Sequence, residues 1–176
     1  MGETHRIRSR AARALGVTMV LASLVGLASA AAGGADALVR VGAPVALFGV
    51  LGWAAFWQPY VGVSDGGVTL ANTLRTVEVP WPAVEEVDGR YGLRLLTAYG
   101  EFTGWAAPAP AGRQRARGEE SSAARAVAQH LADLRAAGHL ADRRLETPSA
   151  RITWHVPLIA VVATLGLATV LLPLLG

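Results

Sequence analysis

The residues of this 176-residue chain that could carry chemistry are few and scattered. Four histidines fall at His5, His130, His139 and His155: one in the N-terminal tail, two in or after a helical stretch, and one at the edge of an apolar segment. None belongs to a His-x-x-x-His or Glu-flanked pair of the kind that ligates zinc. His130 and His139 fall on different turns of a helix rather than as neighbouring ligands, so they are expected to be surface residues. Glu85 and Glu86 invite comparison with an acid–base pair, but neighbours along a strand face opposite sides and cannot share one site, so exposed edge charges are expected. The absence of cysteine removes disulfides, thiolate nucleophiles and Cys-ligated zinc. No glycine-rich phosphate loop precedes a helix, and no serine lies in a nucleophile-elbow pattern. The expectation is a protein that is not an enzyme, with no cofactor, no metal and no catalytic residue.

Position in the cell is better specified than chemistry. The chain is 52% apolar and 16% charged, against roughly 25% charged residues in ordinary soluble domains. Its positive charge is carried by arginine alone, which together with abundant alanine and glycine suggests a GC-rich bacterial genome. Residues 14–32 are uncharged and would rise about 28 Å as a helix, close to the roughly 30 Å hydrocarbon core. Arg6, Arg8, Arg10 and Arg13 precede this span and place residues 1–13 in the cytoplasm as a basic tail. A cleavable signal peptide is the competing reading, because Ala28-Ser29-Ala30 also fits a cleavage site.

A second span, residues 38–57, follows a short turn at Gly33-Gly34-Ala35-Asp36, so residues 14–57 should form a transmembrane hairpin. Arg40 lies in its first turn, where the side chain can snorkel to the headgroups. Trp53, Phe56, Trp57 and Tyr60 crowd its far end as an aromatic belt. Residues 152–175 form the third expected span, preceded by Arg143, Arg144 and Arg151 and marked by Trp154 at its interface. Residues 60–150 are then cytoplasmic. The four-residue spacing of Ala22, Gly26 and Ala30 would let a neighbouring helix approach closely. Pro44 and Pro157 are expected near helix starts, where a missing amide donor is tolerated.

Between Tyr60 and Pro108 the apolar period changes to two: Val61 and Val63, Val68 and Leu70, Val77 and Val79, Leu93 and Leu95, then Phe102. These are strands. Ser64-Asp65-Gly66-Gly67 and Ala98-Tyr99-Gly100-Glu101 look like hairpin turns whose glycines supply positive φ. Asn72 and Asp88-Gly89 mark the other turns. Five or six short strands in residues 58–108 suit a small curved sheet better than a sandwich. A linker at 109–118 leads to an amphipathic helix at 119–138, in which Ala124, Val127, Leu131 and Leu134 share one face. Glu119 and Glu120 favour its N-terminus, and Gly138 stops it. Residues 139–151 form a basic juxtamembrane segment. In Val77 to Val87, Pro80 and Pro82 should keep Val79 and Trp81 extended and break regular pairing, with Trp81 plugging the open end of the sheet.

The order Arg75, Val79-Pro80-Trp81-Pro82, Tyr91-Gly92-Leu93, Gly100 and Trp105-Ala106-Ala107-Pro108 resembles the membrane-anchored bacterial PH-like domains of the actinobacterial low-molecular-weight antigen family. The resemblance covers about residues 58–108, and the preceding apolar hairpin also resembles that family. It implies an α+β membrane protein with a strongly bent antiparallel sheet capped by a C-terminal helix, and it carries over no catalytic or ligand-binding residue. The third apolar span is not a defining feature of the family.

Three arginines, Arg75, Arg90 and Arg94, face six acids, Asp65, Glu78, Glu85, Glu86, Asp88 and Glu101, between residues 60 and 108. That balance argues against specific phosphoinositide binding, which concentrates basic groups, and against nucleic acid. The expected partners are membrane lipids and either a second protein or further copies of this chain. The favoured function is a non-enzymatic plasma-membrane protein that displays a cytoplasmic PH-like interaction module. The alternative is a small transport or channel accessory subunit regulated by that module.

Overall fold

The computed structural model describes residues 5–107, 121–138, 140 and 150–175. The chain divides into two compact units. One joins the segment ending at Ser9 to Pro59–Trp154, and the other joins Arg10–Gln58 to His155–Gly176. The expected linker at 109–118, Glu119, Glu120, His139, Arg143 and Arg144 lie outside the described residues.

The first unit holds two antiparallel sheets, where the sequence suggested one. Strands β1 (His5–Ile7), β2 (Tyr60–Ser64), β3 (Gly67–Ala71) and β4 (Arg75–Pro80) are followed by β5 (Val84–Asp88), β6 (Leu93–Thr97) and β7 (Gly100–Gly104). After helix α3 (Ser122–Ala136), strand β8 (Arg151–Trp154) completes the larger sheet, whose order is β1-β2-β3-β4-β8. The smaller sheet has the order β5-β6-β7. The division falls at Trp81–Ala83, a single 3-10 turn closed by the Val84 amide donating to the Trp81 carbonyl. Trp81 therefore does not stay extended as expected: a proline is tolerated in the first turn of a helix, and Pro82 occupies such a position. The expected break in pairing is present, but it separates two sheets.

One apolar cluster fills the space between these layers. Val61, Val63, Val68, Leu70, Val77 and Val79 supply the inner face of the larger sheet, and Val84, Leu93, Leu95 and Phe102 that of the smaller one. Helix α3 closes the cluster with Ala123, Ala124, Val127 and Leu131, while Leu134 is partly buried against it. Both ends of this helix are pinned: the Ser121 amide donates to the Gly89 carbonyl at 3.1 Å, and Arg135 Nη2 donates to the carbonyls of Val84 and Glu85. Gly138 follows at φ 73, a conformation that favours glycine.

Two strands come from segments that the sequence placed elsewhere. His5–Ile7 pairs with β2 in the register His5 to Val63 and Ile7 to Val61, so part of the basic tail is an edge strand. Arg151–Trp154 pairs with β4, Arg75 opposite Trp154 and Glu78 opposite Arg151. The β-branched and aromatic residues Ile152, Thr153 and Trp154 suit a strand. They leave the apolar helix α4 to begin only at Val156. The span expected over residues 152–175 is thus corrected: α4 is Val156–Leu175, and Val156–Leu172 within it counts only as a shorter apolar helix.

In the second unit, α1 (Arg10–Ala32) and α2 (Ala35–Gly52), the latter continued by a π-helical turn at Trp53–Trp57, are long and apolar enough to cross a membrane. Gly34, at φ 99, turns the chain between them. Their seam keeps only part of the expected Ala22-Gly26-Ala30 row. Gly16, Ser23 and Ala30 are the buried residues of α1, whereas Ala22 is exposed. Gly26 approaches Val45 so closely that an added Cβ would lie 3.0 Å from a Val45 methyl. Ser23 Oγ donates to the Val45 carbonyl at 2.8 Å, satisfying a buried hydroxyl. Pro44 lies inside α2 rather than near its start, where it withholds an amide from the preceding turn. Pro157 is at a helix start, as expected.

Candidate functional site

The corner made by Pro80, Trp81 and Pro82 is built as core. Trp81 is only 2% exposed, and its Nε1 donates to the Ser64 carbonyl at 2.8 Å. The ring of His130, from α3, lies 5.0 Å away at a 41° tilt. His130 is therefore not a surface histidine. Its Nε2 is buried with no hydrogen-bond partner among the described residues. Glu85 and Glu86 are both exposed, because a β-bulge between Val84 and Glu86 interrupts the alternation on which their separation was argued. Gly92 (φ 112) and Gly100 (φ 122) serve their turns through positive φ, and Tyr91 is exposed beside the first of them.

A different set of side chains stays open to solvent. Where the β3–β4 turn meets the end of β7 there is a groove of about 350 Å³ whose wall includes Leu74, Arg75, Trp105 and Trp154. Asn72 holds it together. Its Nδ2 donates to the Thr103 carbonyl and its Oδ1 accepts from the Trp105 amide, each at 2.8 Å, while its own amide donates to the Arg75 carbonyl at 2.9 Å. This fixes the backbone of Trp105, whose side chain is nonetheless 65% exposed; Trp154 is 53% and Leu74 44% exposed. The Arg75 guanidinium lies 5.7 Å over the Trp154 ring. Glu101, also at the groove, is paired with Arg94 at 3.0 Å. Sequence reasoning marked Asn72 only as a turn and passed over Leu74, since neither shows in a two-residue apolar period.

Asn72→Ala would leave the Thr103 carbonyl and the Trp105 amide without these partners. A loss of about 1 to 3 kcal/mol is expected, read as a lower denaturation midpoint with faster amide exchange at Trp105. Unchanged exchange there would mean that Asn72 does not clamp the turn.

The same end of the larger sheet gathers further arginine and aromatic groups. The register Ile7 to Val61, Tyr60 to Ala71, Ala71 to Thr76 and Thr76 to Thr153 runs along this end. Arg6 and Arg8 both lie over the Tyr60 ring, at 4.9 and 5.1 Å. Residues 58–138 match the family model described as Bacterial PH domain. The chain carries a bacterial PH domain. No curated protein and no solved structure matches the chain. Within the PH-like domain the three arginines do not converge. Arg75 covers Trp154, Arg94 pairs with Glu101, and Arg90 sits in the Asp88 turn, where its amide donates to Asp88 Oδ1.

The other residues expected at a membrane interface divide between the two units. Arg40 is exposed on α2, Trp53 is 43% exposed, and Trp57 lies under the Arg13 guanidinium at 4.3 Å. Gln58 Nε2 and His155 Nδ1 are 2.8 Å apart. Tyr60 and Trp154 belong to the arginine and aromatic end of the sheet, whereas Arg151 starts β8 opposite Glu78, three residues before Trp154.

Proposed function

We propose that the protein is a non-enzymatic membrane protein whose α1–α2 hairpin anchors a cytoplasmic PH-like module for protein binding or self-assembly. The observation that carries this reading is that β1 and β2, the strands immediately before and after the hairpin, pair in one sheet. An apolar excursion that leaves and re-enters a single sheet must return to the side from which it left. The arginines before α1 favour the cytoplasmic side. The pairing of β1 with β2 supports retention of the first helix, because cleavage after Ala30 would remove a strand of the sheet. Exposed Tyr91 and Tyr99, on the turns of the smaller sheet, offer aromatic contact area of the kind enriched at interfaces.

Photo-crosslinking from position 91 of the full chain in native membranes tests the interaction. Either a self-adduct at about twice the 18.3 kDa of one chain or one reproducible heterologous adduct is expected. No discrete adduct would overturn the interaction reading.

A further inference from the structure

We infer that the Leu74, Arg75, Trp105 and Trp154 end of the PH-like domain is a docking surface for an anionic bilayer. The inference rests on the anchoring reading above and adds which end of the module meets lipid, and through which groups.

Chain connectivity selects the end. β1 leads from Ile7 to α1 at Arg10, the π-helical turn ends at Trp57 before β2 starts at Tyr60, and β8 ends at Trp154 before α4 starts at Val156. In the sheet register Ile7, Tyr60 and Trp154 all lie at the end that carries the β3–β4 turn. Each link is three residue steps or fewer, and an extended chain covers at most about 3.6 Å per residue. These short links make this end of the sheet the one directly tethered to the apolar helices. The opposite end, with the Asp65-Gly66 turn, carries no such link.

The chemistry of the tethered end fits that position. Leu74, Trp105 and Trp154 are exposed apolar groups of the kinds that enter the acyl boundary or lie at the headgroup level. Ile152, on the same face of β8 as Trp154, is also exposed. Arg6, Arg8 and Arg75 each lie over an aromatic ring, and Arg6 is exposed. The one acid at the groove, Glu101, is held by Arg94. Headgroup phosphate complements this arginine excess, and no single basic pocket is required. The surface accordingly distinguishes anionic from zwitterionic bilayers without selecting one headgroup.

The cysteine-free chain allows a direct test. Leu74→Cys and Asp65→Cys, both at exposed positions, are labelled with an environment-sensitive fluorophore in the full chain. Each is reconstituted into phosphatidylcholine vesicles with or without phosphatidylglycerol, carrying nitroxide headgroup lipid. The expected result is at least about twofold stronger quenching and a blue-shifted emission at position 74, increasing with phosphatidylglycerol, and neither change at position 65. Equal quenching at the two positions overturns the docking surface, and quenching independent of phosphatidylglycerol overturns its anionic character. Shielding at position 74 that grows with protein density in vesicles free of nitroxide lipid would instead assign the surface to a second copy and overturn the proposal. Flotation with the vesicles after alkaline wash is scored separately. Its loss would overturn anchoring itself, whereas flotation with equal quenching overturns only the docking.

Discussion

Trp81→Ala is expected to destabilise the PH-like domain by about 3 to 5 kcal/mol, the cost of emptying a large aromatic site in a core. The wild-type ring is 2% exposed, and it fills the point where the larger sheet ends and the smaller begins. Two further losses accompany the cavity. The Ser64 carbonyl loses the indole donor at 2.8 Å, and His130 loses the ring against which it packs. Natural domains are stable by only about 5 to 15 kcal/mol, so this one change removes much of the total. Limited proteolysis of the reconstituted protein should show cleavage within residues 59–107 at protease levels that spare the wild type. Trp81→Phe should be milder, since the ring volume is largely retained and mainly the hydrogen bond is lost. A Trp81→Ala protein with wild-type protection that merely lost a binding partner would mean the ring is a contact residue and not core.

Gly67→Val should rank second, at the upper end of the roughly 1 to 3 kcal/mol typical of overpacking. A Cβ on Gly67 would overlap the Val79 carbonyl oxygen and lie 2.9 Å from Pro80 Cα. These are backbone atoms of the paired strand and cannot swing aside as a side chain would. β3 would have to withdraw from β4 at the Gly67 to Pro80 pair, next to the Trp81 turn. Gly66 supplies the control, because no atom lies within 4 Å of the corresponding Cβ. Gly66→Ala should therefore leave the denaturation midpoint within about 0.5 kcal/mol of wild type, the usual range for surface changes. Equal losses at the two glycines would show that backbone freedom in the turn, and not the close approach, is what matters.

That contrast also shows what the sequence could and could not reveal. The alternation of Val61, Val63, Val68, Leu70, Val77 and Val79 located three strands and their buried face, because period two has a direct geometric cause. The glycines of the β2–β3 turn were read as sources of positive φ, yet neither Gly66 nor Gly67 has one. Gly67 is needed for proximity, and proximity depends on a strand far along the chain. β1 and β8 were hidden for a related reason. His5–Ile7 is too short to show a period among four arginines, and Ile152 to Trp154 merged with the apolar run that follows. Only their partners in the sheet make them strands. The bulge at Val84 to Glu86 breaks the strict alternation there, while both acids are exposed charges as expected. The groove was the least legible feature, because Asn72, Trp105 and Trp154 meet through pairings distant in sequence.

On the proposed anchoring, the insertion of the hairpin between β1 and β2 ties completion of the larger sheet to the threading of both helices. β1 is synthesised before the hairpin, but its partner strand exists only after it. A chain in which a single helix crossed the bilayer would strand β1 on one side and β2 on the other. The larger sheet would then begin at β2 with its backbone donors and acceptors open to proteases and to other strands. With the proposed anchoring, a complete edge therefore requires that both helices be threaded together.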